Sequence, residues 1–113
     1  MALALNVFQT ITTVVSTSPT EIYTAPVGYT GVVLLAQVAN IGSNSQDITF
    51  SHKRTVVGVA VTTEMLKNYP IPANDTANLL SGKLVLESGD KLVLSGSNST
   101  DLKFIASVLE TLN

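Results

Sequence analysis

The sequence predicts an all-β protein, a single β-sandwich of about eight antiparallel strands with a jelly-roll-like arrangement. In residues 79–97, two short runs of alternating apolar residues flank the Glu87-Ser88-Gly89-Asp90 turn, which is typical of two paired strands. Segments rich in β-branched residues recur along the chain, separated by turn residues at intervals of about 8 to 12 residues. No segment has a convincing helical pattern.

The first three strands are predicted from their β-branched content and their alternation. Residues 5–15 are rich in Thr and Val, and residues 21–25 form a short strand that Pro26 ends. Residues 32–40 are apolar on both faces apart from Gln37. This pattern predicts a central strand that is covered on two sides.

In the middle of the chain, a segment of alternating apolar and polar residues is followed by a segment rich in β-branched residues. Residues 46–53 alternate, with Phe50 and His52 on one strand face. Residues 56–63 form a further run, in which Gly58 predicts a bulge. Each of these runs has the composition of a strand.

Two further segments complete the predicted strands. Residues 63–69 contain good helix formers but are too short for a stable helix, so we interpret them as a strand or an irregular bridge. Residues 101–110 place an alternating apolar set on one face, as in a buried strand. This set comprises Leu102, Phe104, Ala106 and Val108.

Length and composition bound the class of protein. A chain of 113 residues fits one domain, residues 1–113, and is long enough for a hydrophobic core. Hydrophobic residues make up 45% of the chain and charged residues 12%, which is about half the charged share of an ordinary soluble domain. A surface with few charges and many Ser, Thr, Asn and Gln suits a protein that packs against neighbours, because a charge is costly to bury in an interface.

The same composition argues against several partners. The net charge of −2 and the scattered basic residues predict no nucleic acid partner. The apolar runs are far shorter than the roughly 20 residues of a spanning helix, so we expect no membrane partner. The absence of cysteine excludes disulfides and thiolate metal sites. The N-terminus lacks the pattern of a secretory signal, so we expect synthesis and folding in a cytoplasm.

The side chains predict that the protein is not an enzyme. His52 is the lone histidine, and a zinc or iron site needs about three His, Cys or carboxylate ligands. No serine lies in a nucleophile-elbow pattern. We interpret His52 as a partly buried structural side chain, and we expect no catalytic residue, metal ligand or cofactor. The carboxylates near turns are interpreted as solvated acids: Asp47, Asp75, Glu87, Asp90 and Asp101.

Several short motifs follow one another in order over residues 20–110. They are Ile22-Tyr23-Thr24-Ala25-Pro26, Gly28-Tyr29-Thr30, Gln37-Val38-Ala39-Asn40, Ile71-Pro72-Ala73-Asn74-Asp75, residues 79–90 and Ser107-Val108-Leu109-Glu110. In this order and spacing the segments resemble small β-sandwich virion structural proteins of tailed bacteriophages, of the capsid decoration or cement type.

The resemblance implies a structural component of a phage particle, located in the virion and without catalytic residues. Within this class it implies a capsid decoration (cement) protein that binds the outer head surface and stabilises contacts between capsomers. The implied partners are the major capsid protein or other virion proteins. A homo-oligomer is expected as well, a trimer first, because many modest contacts add up in a symmetric shell.

The segments least committed to the core are the candidates for these contacts. They are residues 1–6, which can extend as an N-terminal arm, and the loops at residues 41–46 and 66–78. Two other functions remain open from the sequence. One is a tail, neck or fibre-associated structural or adaptor protein of the virion. The other is a carbohydrate-binding module with Tyr29 as its platform, although a tyrosine in such a turn also fits the edge of the core.

Overall fold

The fold is described from a computed structural model, which covers residues 5–113. Two antiparallel sheets face each other across one apolar layer. Residues 5–113 contain no helix, and so none that is long and apolar enough to cross a membrane. The strands are β1 (Asn6–Val14), β2 (Thr20–Thr24), β3 (Tyr29–Asn40), β4 (Gln46–Val56), β5 (Val59–Ile71), β6 (Asp75–Asn78), β7 (Leu84–Leu86), β8 (Lys91–Gly96) and β9 (Leu102–Leu112).

The strands pair like one long hairpin that is folded over on itself. β1 pairs with β9, β2 with β8 and β4 with β5, so that the start of the chain meets its end and the middle forms the tip. The first sheet has the order β1-β9-β3-β6, with β7 also beside β3, and the second has the order β2-β8-β4-β5. This is the two-sheet arrangement of a jelly roll.

The predicted all-β, jelly-roll-like sandwich is therefore confirmed. Residues 5–113 form nine strands where the sequence predicts about eight, because two short strands, β6 and β7, share one position beside β3. β6 pairs with residues 37–40 of β3 and β7 with residues 31–33 of the same strand, so the two lie end to end along one side of β3.

Alternation along the long strands builds the core. The predicted set on β9 faces inward and is buried, and β4 buries Ile48 and Phe50 from the opposite sheet. The rings of Phe50 and Phe104 meet across the two sheets with their centroids 6.1 Å apart. Burial of these side chains is the main stabilising contribution to the fold, at about 1.5–3 kcal/mol for each large apolar side chain.

The prediction of a hairpin within residues 79–97 is wrong in its pairing. The turn itself is present, since the Asp90 amide donates to the Glu87 carbonyl at 2.9 Å and Gly89 has a φ of 84°. β7 before it pairs with β3 in the first sheet, however, while β8 after it pairs with β2 and β4 in the second. The turn carries the chain from one sheet to the other, and local alternation does not specify which strand becomes the partner.

Gly58 forms a turn and not the predicted bulge. Val56 is paired with Val59, so Val57 and Gly58 are the two central residues of a tight connection between β4 and β5. Both have a positive φ, 50° and 77°, as a type I′ turn requires. A β-branched valine is a rare residue at such a position, which is why the sequence is misleading here.

The structure differs in part from the predictions for residues 63–69, for residues 66–78 and for the N-terminal arm. Residues 63–69 are a strand, within β5, and the ladder between β4 and β5 shifts register there. Residues 66–78 are mostly strand and not a loop, with a turn at residues 72–74 between β5 and β6. The predicted domain, residues 1–113, and its arm, residues 1–6, begin outside the described residues. Within the arm, Asn6 is the first residue of β1.

We expect Gly96→Ala to destabilise the fold by about 1–3 kcal/mol, because the new methyl group overpacks the core edge. A Cβ at Gly96 would lie 2.8 Å from Leu102 Cδ1 and 2.9 Å from Val15 Cγ1. Gly82→Ala is the control, since no atom lies within 4 Å of its Cβ position. Urea unfolding of both variants measures the difference, and equal free energies of unfolding would contradict the packing described here.

Candidate interaction surfaces

The outer face of the first sheet is unusually apolar. The register places Phe8, Leu109, Val32 and Val85 side by side, one on each of β1, β9, β3 and β7. Phe8 is 74% exposed and Val85 55% exposed. We call this row, together with the neighbouring outward side chain of Leu35 on β3, the apolar face.

A hollow of about 540 Å³ continues the apolar face towards the far end of the first sheet. It is lined by side chains from β1, β3, β6 and β9, among them Val14, Gln37, Ala39 and Ile105. Lys103 is the charged residue among the outward positions of β1, β3 and β9. The face therefore offers apolar surface and uncharged hydrogen-bonding groups, a combination typical of protein interfaces.

This face also explains the sequence pattern of β3. The apolar residues on both sides of this strand predict cover on two sides. Within residues 5–113 the second sheet covers the inner side, where Val33, Ala36 and Val38 are buried, and the outer side stays accessible. The part of the chain that the structure describes therefore leaves the outer side of β3 uncovered.

The outer face of the second sheet has the opposite character. Lys53 forms an ion pair with Glu21 at 2.9 Å, and Lys91 approaches the other oxygen of Glu21 at 3.8 Å. Glu64 on β5 lies opposite Ser51 of β4 in the same sheet. Exposed ion pairs such as these add little stability but keep a surface hydrated. The sandwich thus has one apolar outer face and one charged outer face.

The hairpin of β4 and β5 extends beyond the sandwich. β8 pairs with β4 only as far as Lys53, so the hairpin continues from there as a two-stranded ribbon. Val57 at its tip is 97% exposed and has a φ of 50°, a conformation that costs a β-branched residue about 1–2 kcal/mol. The tip is completed by three further exposed valines, Val56, Val59 and Val61.

The root of this hairpin is fixed by a buried carboxylate. Asp90, 3% exposed, accepts hydrogen bonds from Arg54 Nε at 3.0 Å and from Arg54 Nη2 at 2.6 Å. His52 Nε2 lies 3.0 Å from Asp90 Oδ2, and the Glu87 amide donates to the same oxygen at 3.0 Å. The bonds from Arg54, followed by those from His52 and Glu87, outweigh burial and lower the pKa of Asp90 from 3.8 to about 2.

A second polar contact links the two sheets. The Tyr23 hydroxyl on β2 donates to the carboxylate of Glu110 on β9, and Gln9 Nε2 donates to the other oxygen of Glu110 at 2.7 Å. Glu110 is only 4% exposed. Burial and the neighbouring Glu110 raise the pKa of Tyr23, so its phenol stays protonated and remains a donor at neutral pH.

The predicted site residues thus have mainly structural surroundings. His52 is half-buried beside Asp90 and Arg54. Asp90 is buried and paired with Arg54, so its interpretation as a solvated acid is wrong. The others lie at the surface or half-buried in strands and connections: Asp47, Asp75, Glu87 and Asp101. Within residues 5–113 no group of three or more His, Cys, Asp and Glu side chains is placed to hold a metal ion.

Tyr29 and the loop at residues 41–46 are the other candidates predicted from the sequence. Tyr29 begins β3 and is half-buried. The loop at residues 41–46 is closed by Asn40, whose Nδ2 donates to the Asn44 carbonyl at 2.8 Å and whose Oδ1 accepts from the Gly42 amide at 3.0 Å. The apolar face and the hairpin tip were not among the contacts predicted from sequence. The double-sided apolar pattern of residues 32–40 was the signal that could have revealed the face.

No family model matches the chain, and no curated protein matches it. A chain of the T13 infectious bursal disease virus particle is similar in structure, with a TM-score of 0.58 and 11% identity over 97% of this chain. A chain of the acid-stable capsid of Helicobacter pylori bacteriophage KHP30 gives a TM-score of 0.55 and 10% identity over 96% of this chain. A chain of Bacillus endospore appendages, described as disulfide-linked pili, gives a TM-score of 0.50 and 15% identity over 100% of this chain.

The structural neighbours are thus chains of two virus particles and of a spore pilus. This chain spans 32% of the infectious bursal disease virus chain, but 89% of the KHP30 chain and 97% of the Bacillus chain. At identities this low, the matches show a shared fold.

We expect Tyr23→Phe to lower the free energy of unfolding by about 1–3 kcal/mol, because buried Glu110 loses a donor. Tyr69→Phe removes a hydroxyl from a side chain that is exposed and serves as the control, with an expected change within about 0.5 kcal/mol. Denaturant unfolding at pH 7 compares the two variants. Equal losses would show that the Tyr23 hydroxyl does not support Glu110.

Asp90 is expected to make stability dependent on pH in the acid range. Because its folded pKa is depressed, its contribution of about 2 kcal/mol is complete above about pH 5 and is lost as the pH falls through the folded pKa of about 2. Asp90→Asn should therefore be less stable than the wild type at pH 7, and the gap should narrow towards pH 2. Urea unfolding at pH 7, 4, 3 and 2 measures it, with Glu64→Gln as an exposed control. Parallel pH curves for wild type and Asp90→Asn would refute the assignment.

Proposed function

We propose that this protein is a structural component of a bacteriophage particle and that it acts as a capsid decoration (cement) protein on the outer head surface. The observation that carries the proposal is the match to a chain of the KHP30 phage capsid, which is nearly complete in both directions. A small jelly roll that matches a capsid chain over most of its length fits a separate shell protein. The motifs over residues 20–110, which resemble decoration proteins, support the same role.

The two outer faces give this role a physical basis. A decoration protein has one side against the shell and one side in water. The apolar face, with Val85 and Leu35 accessible, is suited to the first contact. The face with the Glu21–Lys53 pair is suited to water. Repetition over a symmetric shell lets a modest interface hold firmly, because each copy adds to the total avidity.

We further propose that the protein is not an enzyme. The half-buried His52 is held against Asp90 beside Arg54, in the root of the hairpin. Among the described residues, the side chain of His52 makes its hydrogen-bond contact with Asp90 and not with a serine, threonine or lysine. A base without a nucleophile in contact with it lacks the arrangement that nucleophilic catalysis needs.

A fibre or tail component of the same particle is the second candidate. It is favoured by the likeness to the Bacillus appendage chain, which is similar over nearly its full length. That protein forms disulfide-linked pili, whereas this chain has no cysteine and would have to join its copies without disulfides. The number of copies in a particle distinguishes the two roles.

Quantitative mass spectrometry of purified particles tests the proposal directly. For a decoration protein we expect between about one-third of a copy and one copy per major capsid subunit, because it repeats with the shell lattice. A few copies per particle would move the protein to the tail or a fibre. Absence from purified particles would refute the structural role.

Binding of the protein to capsids that lack it tests whether the apolar face contacts the shell. Val85→Glu places a charge in the apolar face, and we expect it to weaken capsid binding at least tenfold, since the charge would be buried. Thr62→Glu places the same charge on the outer face of the second sheet and should bind like the wild type. Circular dichroism verifies that both variants fold. Equal binding by both would show that the apolar face does not contact the shell.

A further inference from the structure

A sandwich has sheet edges, and three of the edges in this protein are protected against pairing with another strand. β2 is five residues long and carries Glu21 with an irregular register. β5 includes Glu64, Lys67 and Pro70 and shifts register against β4. β6 and β7 are only four and three residues long. Short strands, charges, proline and bulges are the features that keep sheet edges from pairing.

The fourth edge, β1, has none of these features. Its nine residues, NVFQTITTV, include no charge and no proline, and its register with β9 is regular from Asn6 to Val14. The Leu112 amide donates to the Leu5 carbonyl, and the Val15 amide donates to the Leu102 carbonyl. In an antiparallel ladder this alternation directs the odd-numbered backbone groups towards β9. The N–H and C=O groups of the even-numbered residues therefore face the open edge.

We infer that β1 pairs with β1 of a second copy of this chain, antiparallel across a two-fold axis at Thr10. This register aligns all nine residues, from Asn6 opposite Val14 to Thr10 opposite itself. It also pairs even-numbered residues with even-numbered residues, which are the ones whose backbone groups are directed outwards. The two first sheets then join into one continuous sheet.

The side chains favour a second copy as the occupant. An uncharged strand brings no like charges together when it meets itself, and two-fold homodimers are the commonest oligomers. On the outer face Phe8 of each copy lies opposite Thr12 of the other, an aromatic and β-branched pair of the kind that stabilises sheets. The apolar row that begins at Phe8 then runs on into the second molecule.

The inferred contact does not depend on the role in a particle. If copies also form a trimer through another surface, the β1 contact joins one trimer to the next. It is therefore a link between units, which is what a protein that holds a lattice together requires.

A disulfide test reads out the register. The chain has no cysteine, so Thr10→Cys introduces a single thiol on the axis. The two Cα atoms would lie about 5.5 Å apart in a hydrogen-bonded pair, within the range of about 4.4–6.8 Å that a disulfide spans. Thr12→Cys is the matched control, because its two thiols would be about four residues, or 13 Å, apart along the strands. Under mild oxidation we expect Thr10→Cys to cross-link at least tenfold faster.

A proline test reads out the backbone pairing. Thr10→Pro removes the N–H that faces the open edge but leaves the ladder with β9 intact, so the variant can fold while it loses both hydrogen bonds at the axis. Thr10→Val keeps this N–H. Sedimentation velocity should show that the wild type and Thr10→Val associate into even-numbered species, and that Thr10→Pro weakens this association at least tenfold. Circular dichroism and thermal unfolding verify the fold of each variant.

Three results would overturn the inference. Equal cross-linking rates for the two cysteine variants would show that the register is wrong. Equal association of Thr10→Pro and Thr10→Val would show that the backbone of β1 does not take part. A wild type that remains monomeric, or a trimer that Thr10→Pro leaves unchanged, together with no preferred cross-link at Thr10, would show that β1 is not an interface.

Discussion

The structure depends on one constraint: two sheets share a single apolar layer. Phe50 and Phe104 meet in this layer from opposite sheets, and the alternating side chains of β3, β4, β8 and β9 fill the rest. Each strand can bury one face in it and must direct the other outwards. The folded-over hairpin satisfies this constraint because it brings distant strands into the same sheet and puts sequence neighbours such as β7 and β8 into different sheets.

Buried polar groups lie where this layer ends, and they hold particular strands together. Tyr23 and Glu110 join β2 of one sheet to β9 of the other. Asp90 joins the turn between β7 and β8 to Arg54, at the point where the β4–β5 hairpin leaves the sandwich. An unpaired buried carboxylate would cost far more than a paired one. These contacts therefore favour one way of folding the hairpin over the alternatives that the apolar pattern alone would allow.

The sequence predicts the elements of this fold better than their partners. β1, β2, β4 and β9 follow from alternation and β-branched content, because both are local properties of a strand. The pairing of residues 79–97 could not be predicted in this way, since the same two runs and turn fit a hairpin as well as a crossing between sheets. The interpretation of Asp90 as a solvated acid is wrong for a related reason: its place in a turn is local, but its burial depends on Arg54 and His52, which come from a distant strand. Val57 shows the third limit, since a valine in a type I′ turn has no turn signal in the sequence.

The distribution of charge, more than its total, bears on function. A chain with 12% charged residues could spread them evenly to remain soluble, but here the outer face of the second sheet holds Glu21, Lys53, Lys91 and Glu64, while the outward positions of β1, β3 and β9 hold Lys103 alone. Stability does not require this asymmetry, because either outer face could be charged without disturbing the shared core. Residues 32–40 lead to the same conclusion. Their outer side has the composition of a covered strand, but nothing within the described chain covers it. Both facts support the proposal that the first sheet contacts another surface while the second sheet faces water.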